Sequence, residues 1–268
     1  MKKLVLIFSF FCFLLAFESC SQNIASTSDT KSPDTVKMVV HQPVQILPLQ
    51  VTFNSLDGLT VTADSYYQSD SLPWILLCHQ AGYSRGEYKE TAPKFCKLGY
   101  NCLAIDQRSG DEVNGVKNET AARAKQQGKP TAYLDAEQDI IAAINYLYDN
   151  TKKPVILVGS SYSAGLVLKI ATTNPKVKAV LTFSPGEYYG DKLHLAESIK
   201  ALDKPVFITS SRQEITDAKI IFAAIASEHK TFFSPVSPGV HASSCLWEST
   251  DDYNEYWKAV EQFLAEIK

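Results

Sequence analysis

A chain of 268 residues with 45% hydrophobic and 21% charged side chains can bury one large core, since single α/β domains run to roughly 250 residues. That balance excludes a disordered chain and a multi-span membrane protein. A formal net charge of -3 and the lack of any basic run exclude a nucleic-acid footprint, and no protein partner is expected.

Met1, Lys2 and Lys3 precede the apolar stretch LVLIFSFFCFLLAF, Leu4 to Phe17. It is shorter than the ~20 residues of a spanning helix, and a basic start with a short apolar core is the pattern of an export signal, here residues 1–19. The stretch closes in FESC, which resembles the cleavage box of bacterial lipoproteins, with Phe17 and Glu18 departing from its usual residues. Lipidation of Cys20 is therefore expected, with the protein held to a membrane of the bacterial cell envelope by that anchor. Ordinary signal cleavage near Ser19, which releases a secreted protein, is the alternative. Residues 20–43 include SQNIASTSDTKSPDT, polar and without apolar periodicity, and read as a flexible tether.

From Val44 to Lys268 the pattern is that of one folded domain. VTF at Val51 and LTVTADSYY at Leu59 flank Asp57-Gly58, which predicts an antiparallel hairpin. PWILLC (73–78), NCLAID (101–106), PVILVG (154–159), VKAVLTFS (177–184) and PVFITS (205–210) are short continuous apolar runs. Such runs suit strands of a parallel sheet covered on both faces. KTFFSPV from Lys230 adds a further strand. Helical spacing marks LDAEQDIIAAINYLYDN (134–150), SAGLVLKIA after Tyr162, the short LHLAESIKAL, and DDYNEYWKAVEQFLAEIK (251–268). This alternation predicts an α/β fold with helices on both faces of a mostly parallel sheet. Gln107 to Tyr133 reads as one long segment without regular structure, of the kind that carries function or moves.

Four cysteines lie in the domain: Cys78, Cys96, Cys102 and Cys245. Cys78 and Cys102 sit in strand-like runs, so mostly buried thiols are expected, and a Cys96–Cys102 bridge is left open. No Cys/His spacing fits a zinc site, and no metal is expected.

In an open parallel sheet, reacting groups collect at the carboxyl ends of the strands. At one such end stands VGSSYSAG, which fits G-x-S-x-G over Gly159 to Ser163, with Ser163 where the last glycine is usual. The frame is that of a sharp strand-to-helix turn presenting its central serine, Ser161, while Ser160 and Ser163 shape the turn. A serine needs a base, and the base needs a third group to hold it. Of His41, His79, His194, His229 and His241, only His241, in SPGVHASS, follows the last strand at its carboxyl end. For the acid, Glu214 stands in the polar turn after PVFITS, with Asp217 in reserve and Glu187 or Asp191 less well placed. The backbone N–H of Tyr162, just after Ser161, is one candidate oxyanion donor.

HQAG, DQRSG, VGSSYSAG, FSPGEYY and GVH, in this order and spacing, resemble the α/β-hydrolases of the serine esterase or dienelactone-hydrolase-like type over residues 44–268. The resemblance implies an α/β-hydrolase fold with an eight-stranded, mostly parallel sheet and a triad of Ser161, Glu214 and His241. It also implies an acyl-enzyme mechanism on a small acyl substrate, without metal or cofactor. HQAG is similar to the H-G-x-G loop of esterases with Gln80 in place of glycine. This implies Ala81 as the second oxyanion donor, Gln80 as the next choice, and His79 as a loop-shaping residue. The short stretch between FSPG and PVFITS excludes a large cap domain there and leaves Gln107–Tyr133 to cover the site. Asp111, Glu112 and Glu119 in that span do not have EF-hand spacing, and Arg108 is expected to pair with an acid rather than orient a substrate. The reading is a serine hydrolase that cleaves a carboxylic ester or related acyl bond. The alternatives are a non-catalytic binding protein of the same fold, or a peptidase or acyltransferase with the same triad.

Overall fold

Two residues set the first turn: Gly58 takes φ 81°, and Asp57 accepts from the Leu59 N–H at 3.1 Å through its side chain. They close the expected hairpin of β1 (Leu49–Asn54) and β2 (Thr60–Tyr66), paired antiparallel. The structure is a computed structural model and describes residues 46–268. The export signal, the tether, Cys20 and His41 lie outside the described residues.

In chain order there follow β3 (Trp74–Cys78), α1 (Thr91–Lys97), β4 (Asn101–Ile105), β5 (Glu112–Val113), β6 (Val116–Lys117) and α2 (Glu119–Gln126). Then come α3 (Glu137–Thr151), β7 (Val155–Ser160), α4 (Tyr162–Thr173), β8 (Val177–Phe183) and α5 (Leu195–Ser198). The chain closes with β9 (Val206–Thr209), α6 (Ile215–Ala224), β10 (Lys230–Phe233) and α7 (Tyr253–Glu266). Eight strands form one sheet in the order β1-β2-β4-β3-β7-β8-β9-β10. β2 runs antiparallel to both neighbours, and every pair from β4 to β10 is parallel.

The period-two alternation of each strand divides its apolar side chains between two cores. Leu76, Leu103 and Leu157 pack on one face with Ile140 and Ile144 of α3, Leu166 and Val167 of α4 and Ile221 of α6. Ile75, Leu77, Ile156 and Val158 pack on the other with Phe95 of α1 and Val260, Phe263 and Leu264 of α7. A large aliphatic side chain buried this way contributes about 1.5–3 kcal/mol. The continuous apolar runs are thus explained by the double cover, and the α/β-hydrolase sheet with helices on both faces is as expected. All four thiols are buried and free, including Cys96 and Cys102.

The span from Gln107 to Tyr133 departs from the expectation. It carries the β5–β6 hairpin and α2, whose N-cap Asn118 accepts from the Ala121 N–H at 2.7 Å. α2 lies along β2, where Thr120 Oγ1 accepts from the Thr62 N–H at 2.9 Å, and so does not cover the carboxyl edge as expected. The reason it escapes a reading by hydrophobic pattern is composition: ETAARAKQ offers only alanines as apolar residues. Arg108 is fully buried and forks between Asp139 at 2.7 Å and Asp57 at 2.9 Å, so it ties α3 to the hairpin turn. Both α2, which was not expected, and Arg108, which pairs with acids as expected, therefore serve the scaffold.

Candidate active site

β7 hands over to α4 through Ser161, which adopts φ 56° and ψ -120°, a region that non-glycine residues enter only under constraint. Gly159 makes the turn possible: a Cβ there would stand 2.7 Å from the Ala164 backbone and from the Ser163 carbonyl oxygen. Ser161 caps α4 at Tyr162, and the first turn of a helix leaves its N–H groups without partners inside the helix. Those N–H groups and the helix dipole favour negative charge at this point.

Three side chains from three strand ends converge. His241 Nε2 lies 2.9 Å from Ser161 Oγ, and His241 Nδ1 lies 2.5 Å from Glu214 Oε1. With Nδ1–H donated to the carboxylate, Nε2 is left to accept the serine proton. Glu214 Oε2 accepts from Ser211 Oγ at 2.6 Å, from Ser184 Oγ at 2.8 Å and from the Ser211 N–H at 3.3 Å. Burial works against the charge on Glu214, but hydrogen bonds from His241, Ser211 and Ser184 outweigh it and hold the carboxyl at about 2. Glu214 is therefore a fixed anion at neutral pH. The other acids are elsewhere: Glu187 caps α5 through the Leu195 and Ala196 N–H groups, and Asp217 lies in the first turn of α6. Asp191 sits in an exposed turn after β8. The histidine loop is held by Ser184, whose hydroxyl accepts from the Ala242 N–H at 2.9 Å. Ser184 and Ala242 share the positive φ of Ser161, at 54° and 62°, so backbone strain gathers where the three loops meet.

The HQAG loop is fixed from inside. His79 is fully buried, with Nδ1 2.8 Å from the Gln80 carbonyl and Nε2 3.0 Å from the Gln107 N–H. Burial pushes its pKa down to about 4, so the ring stays neutral and shapes the loop. The Gln80 N–H donates to Glu87 at 2.7 Å, which commits it away from the serine and leaves Ala81 as the candidate donor on this loop. Ser163, the departure from G-x-S-x-G, has a partner set of its own. Its hydroxyl donates to the His79 carbonyl at 2.5 Å and accepts from Gln107 Nε2 at 2.5 Å. A glycine would remove the hydroxyl from the His79 carbonyl and leave Gln107 Nε2 only the Tyr162 hydroxyl, at 3.2 Å.

Sequence reasoning missed Glu87, Ser184 and Ser211. Ser211 was signalled by S-x-x-E, since Ser211 and Glu214 form a capping box before α6. Tyr133 stacks on Tyr162 with ring centroids 4.5 Å apart, so the end of the long span does reach the site. Among the described residues no cluster of His, Cys, Asp and Glu could hold a metal ion.

No curated protein matches the chain in sequence. Among solved structures it is similar to the Pyrococcus furiosus esterase Pf2001, at TM-score 0.64 and 16% identity, covering 82% of this chain and 92% of that one. A dienelactone hydrolase from Anabaena variabilis is similar at TM-score 0.64 and 14% identity, over 82% of this chain and 99% of that one. The acylaminoacyl peptidase of Pyrococcus horikoshii is similar at TM-score 0.61 and 15% identity, over 82% of this chain and 41% of that one. These likenesses carry the fold. The sequence pattern described as "Dienelactone hydrolase family" matches residues 59–231, from β2 into β10, and on that match the chain belongs to the dienelactone hydrolase family and is a hydrolase of the α/β-hydrolase fold.

Proposed function

We propose that the protein is a serine hydrolase of carboxylic esters that works through an acyl-enzyme. The observation that carries this reading is the unbroken line Ser161 Oγ, His241, Glu214, at 2.9 Å and 2.5 Å. Ser161 Oγ attacks the ester carbonyl while its proton passes to His241 Nε2, and Glu214 steadies the imidazolium that forms. The carbonyl oxygen takes up negative charge against the N–H groups of Tyr162 and Ala81. When the tetrahedral adduct collapses, the C–O bond to the alcohol breaks and His241 returns the proton to the departing oxygen. Water then enters by the same route, giving its proton to His241 and releasing the acid and Ser161. An open cleft of about 500 Å³ lies beside the loop that carries His241, lined by Gly239, Val240, Ser244 and Trp247; none of Ser161, Glu214 and His241 lines it. The match to the dienelactone hydrolase family supports an ester substrate.

Turnover of p-nitrophenyl acetate tests the reading: wild type releases p-nitrophenol and Ser161→Ala does not. Equal turnover by Ser161→Ala defeats the assignment. The basic start, short apolar stretch and FESC further support export and a lipid anchor on Cys20. Palmitate labelling of the full chain expressed in a bacterium that processes lipoproteins checks this, with label expected on wild type and none on Cys20→Ser.

A further inference from the structure

Glu87 is a fully buried carboxylate for which the triad has no use. It sits on the short turn Arg85–Tyr88, and among the described residues no lysine, arginine or histidine pairs with it; the neighbouring Arg85 is taken by Asp64, Asp106 and Glu119. Its partners are three chain segments far apart in sequence. Oε2 accepts from the Gln80 N–H at 2.7 Å, while Oε1 accepts from Ser160 Oγ at 2.6 Å and Ser243 Oγ at 2.5 Å. Gln80 precedes Ala81, Ser160 precedes Ser161, and Ser243 follows His241 by two positions. The Ser243 N–H also donates to Ser160 Oγ at 3.1 Å, so the Ser160 proton must point to Glu87.

We propose that Glu87 is a positioning residue that sets the oxyanion loop, the Ser161 turn and the His241 loop in register from beneath. The proposal rests on the reading of Ser161 as nucleophile. Both carboxylate oxygens are needed. A glutamine can still accept from the Gln80 N–H with its oxygen, but its amide then faces Ser160 and Ser243, and the Ser160 proton loses its acceptor. The three loops would then be free to shift by fractions of an ångström, which matters little to ground-state binding and much to a near-attack geometry.

The experiment is steady-state ester hydrolysis by wild type, Glu87→Gln, Ser243→Ala and the double variant, with thermal melts of each and Ser161→Ala as control. Glu87→Gln is expected to lower kcat by about 10–100-fold with KM within about twofold. Ser243→Ala is expected to lower kcat less, and the double variant to fall no further than Glu87→Gln alone, because both act through one contact. The proposal is overturned if kcat per folded molecule is unchanged in Glu87→Gln, if the loss lies in KM, or if the two losses multiply. Should Glu87→Gln fail to fold, an unchanged kcat in Ser243→Ala overturns it and a fall in kcat at constant KM supports it. A Ser161→Ala control as active as wild type, or an inactive wild type, instead removes the nucleophile reading beneath it.

Discussion

The carboxyl edge of the sheet holds two histidines in opposite conditions. His79 is sealed in, with Nδ1 on the Gln80 carbonyl and Nε2 against the Gln107 N–H and the Asn118 amide, and burial holds it neutral. His241 lies about half exposed, at 43%, with one nitrogen on a carboxylate and the other on a serine hydroxyl. Position in a strand-end loop is common to both. What separates the scaffold ring from the proposed proton carrier is the partner of each nitrogen: a ring whose acceptor is filled by a backbone N–H has nothing left for a substrate.

Substitutions can break this contrast. The largest effect is expected at His241: His241→Ala should lower kcat by about 10⁴-fold or more at nearly unchanged melting temperature, measured with a chromogenic ester. Glu214→Gln keeps the shape but loses the anion and should cost up to about 10⁴-fold in kcat. His79→Ala should do the reverse, lowering the melting temperature by leaving buried groups unpaired while the Ser161–His241–Glu214 line survives in what folds.

Acid sharpens the same contrast. The pKa of His79 falls from an ordinary 6.5 to about 4 on folding, so between those values the unfolded chain binds a proton that the folded chain does not. Stability is thus lost as pH drops from about 6.5 to 4, and the melting temperature of His79→Ala should be flatter across that window. Glu214 acts lower: held at about 2 against an ordinary 4.5, it contributes stability above 4.5 that is lost as pH falls toward 2. Melting curves of Glu214→Gln should lack that second loss. The smallest effect is expected at Ser163. Ser163→Ala leaves the His79 carbonyl and Gln107 amide short of a partner and should cost about 1–3 kcal/mol by urea denaturation, with kcat little changed.

The strands, the hairpin turn and the order Ser161, Glu214, His241 were legible because each has a local cause. Double burial gives continuous apolar runs, Asp57-Gly58 gives a turn, and chemistry collects at strand ends. α2 was not legible, since a short helix packed on β2 through alanines leaves no apolar stripe. Glu87 was not legible either: in sequence it is one more acid in a polar turn, and its serine partners lie 73 and 156 positions away. Ser163 was legible only as a departure from G-x-S-x-G, because its partners, Gln107 and the His79 carbonyl, come from two other strand ends.

The central claim is that one serine of VGSSYSAG reacts while its neighbours are bound up, Ser160 with Glu87 and Ser163 with His79. Peptide mapping by mass spectrometry after fluorophosphonate treatment addresses it directly. The account predicts a single adduct on Ser161, absent from His241→Ala; an adduct on Ser160 or Ser163, or none on a folded wild-type protein, would contradict it.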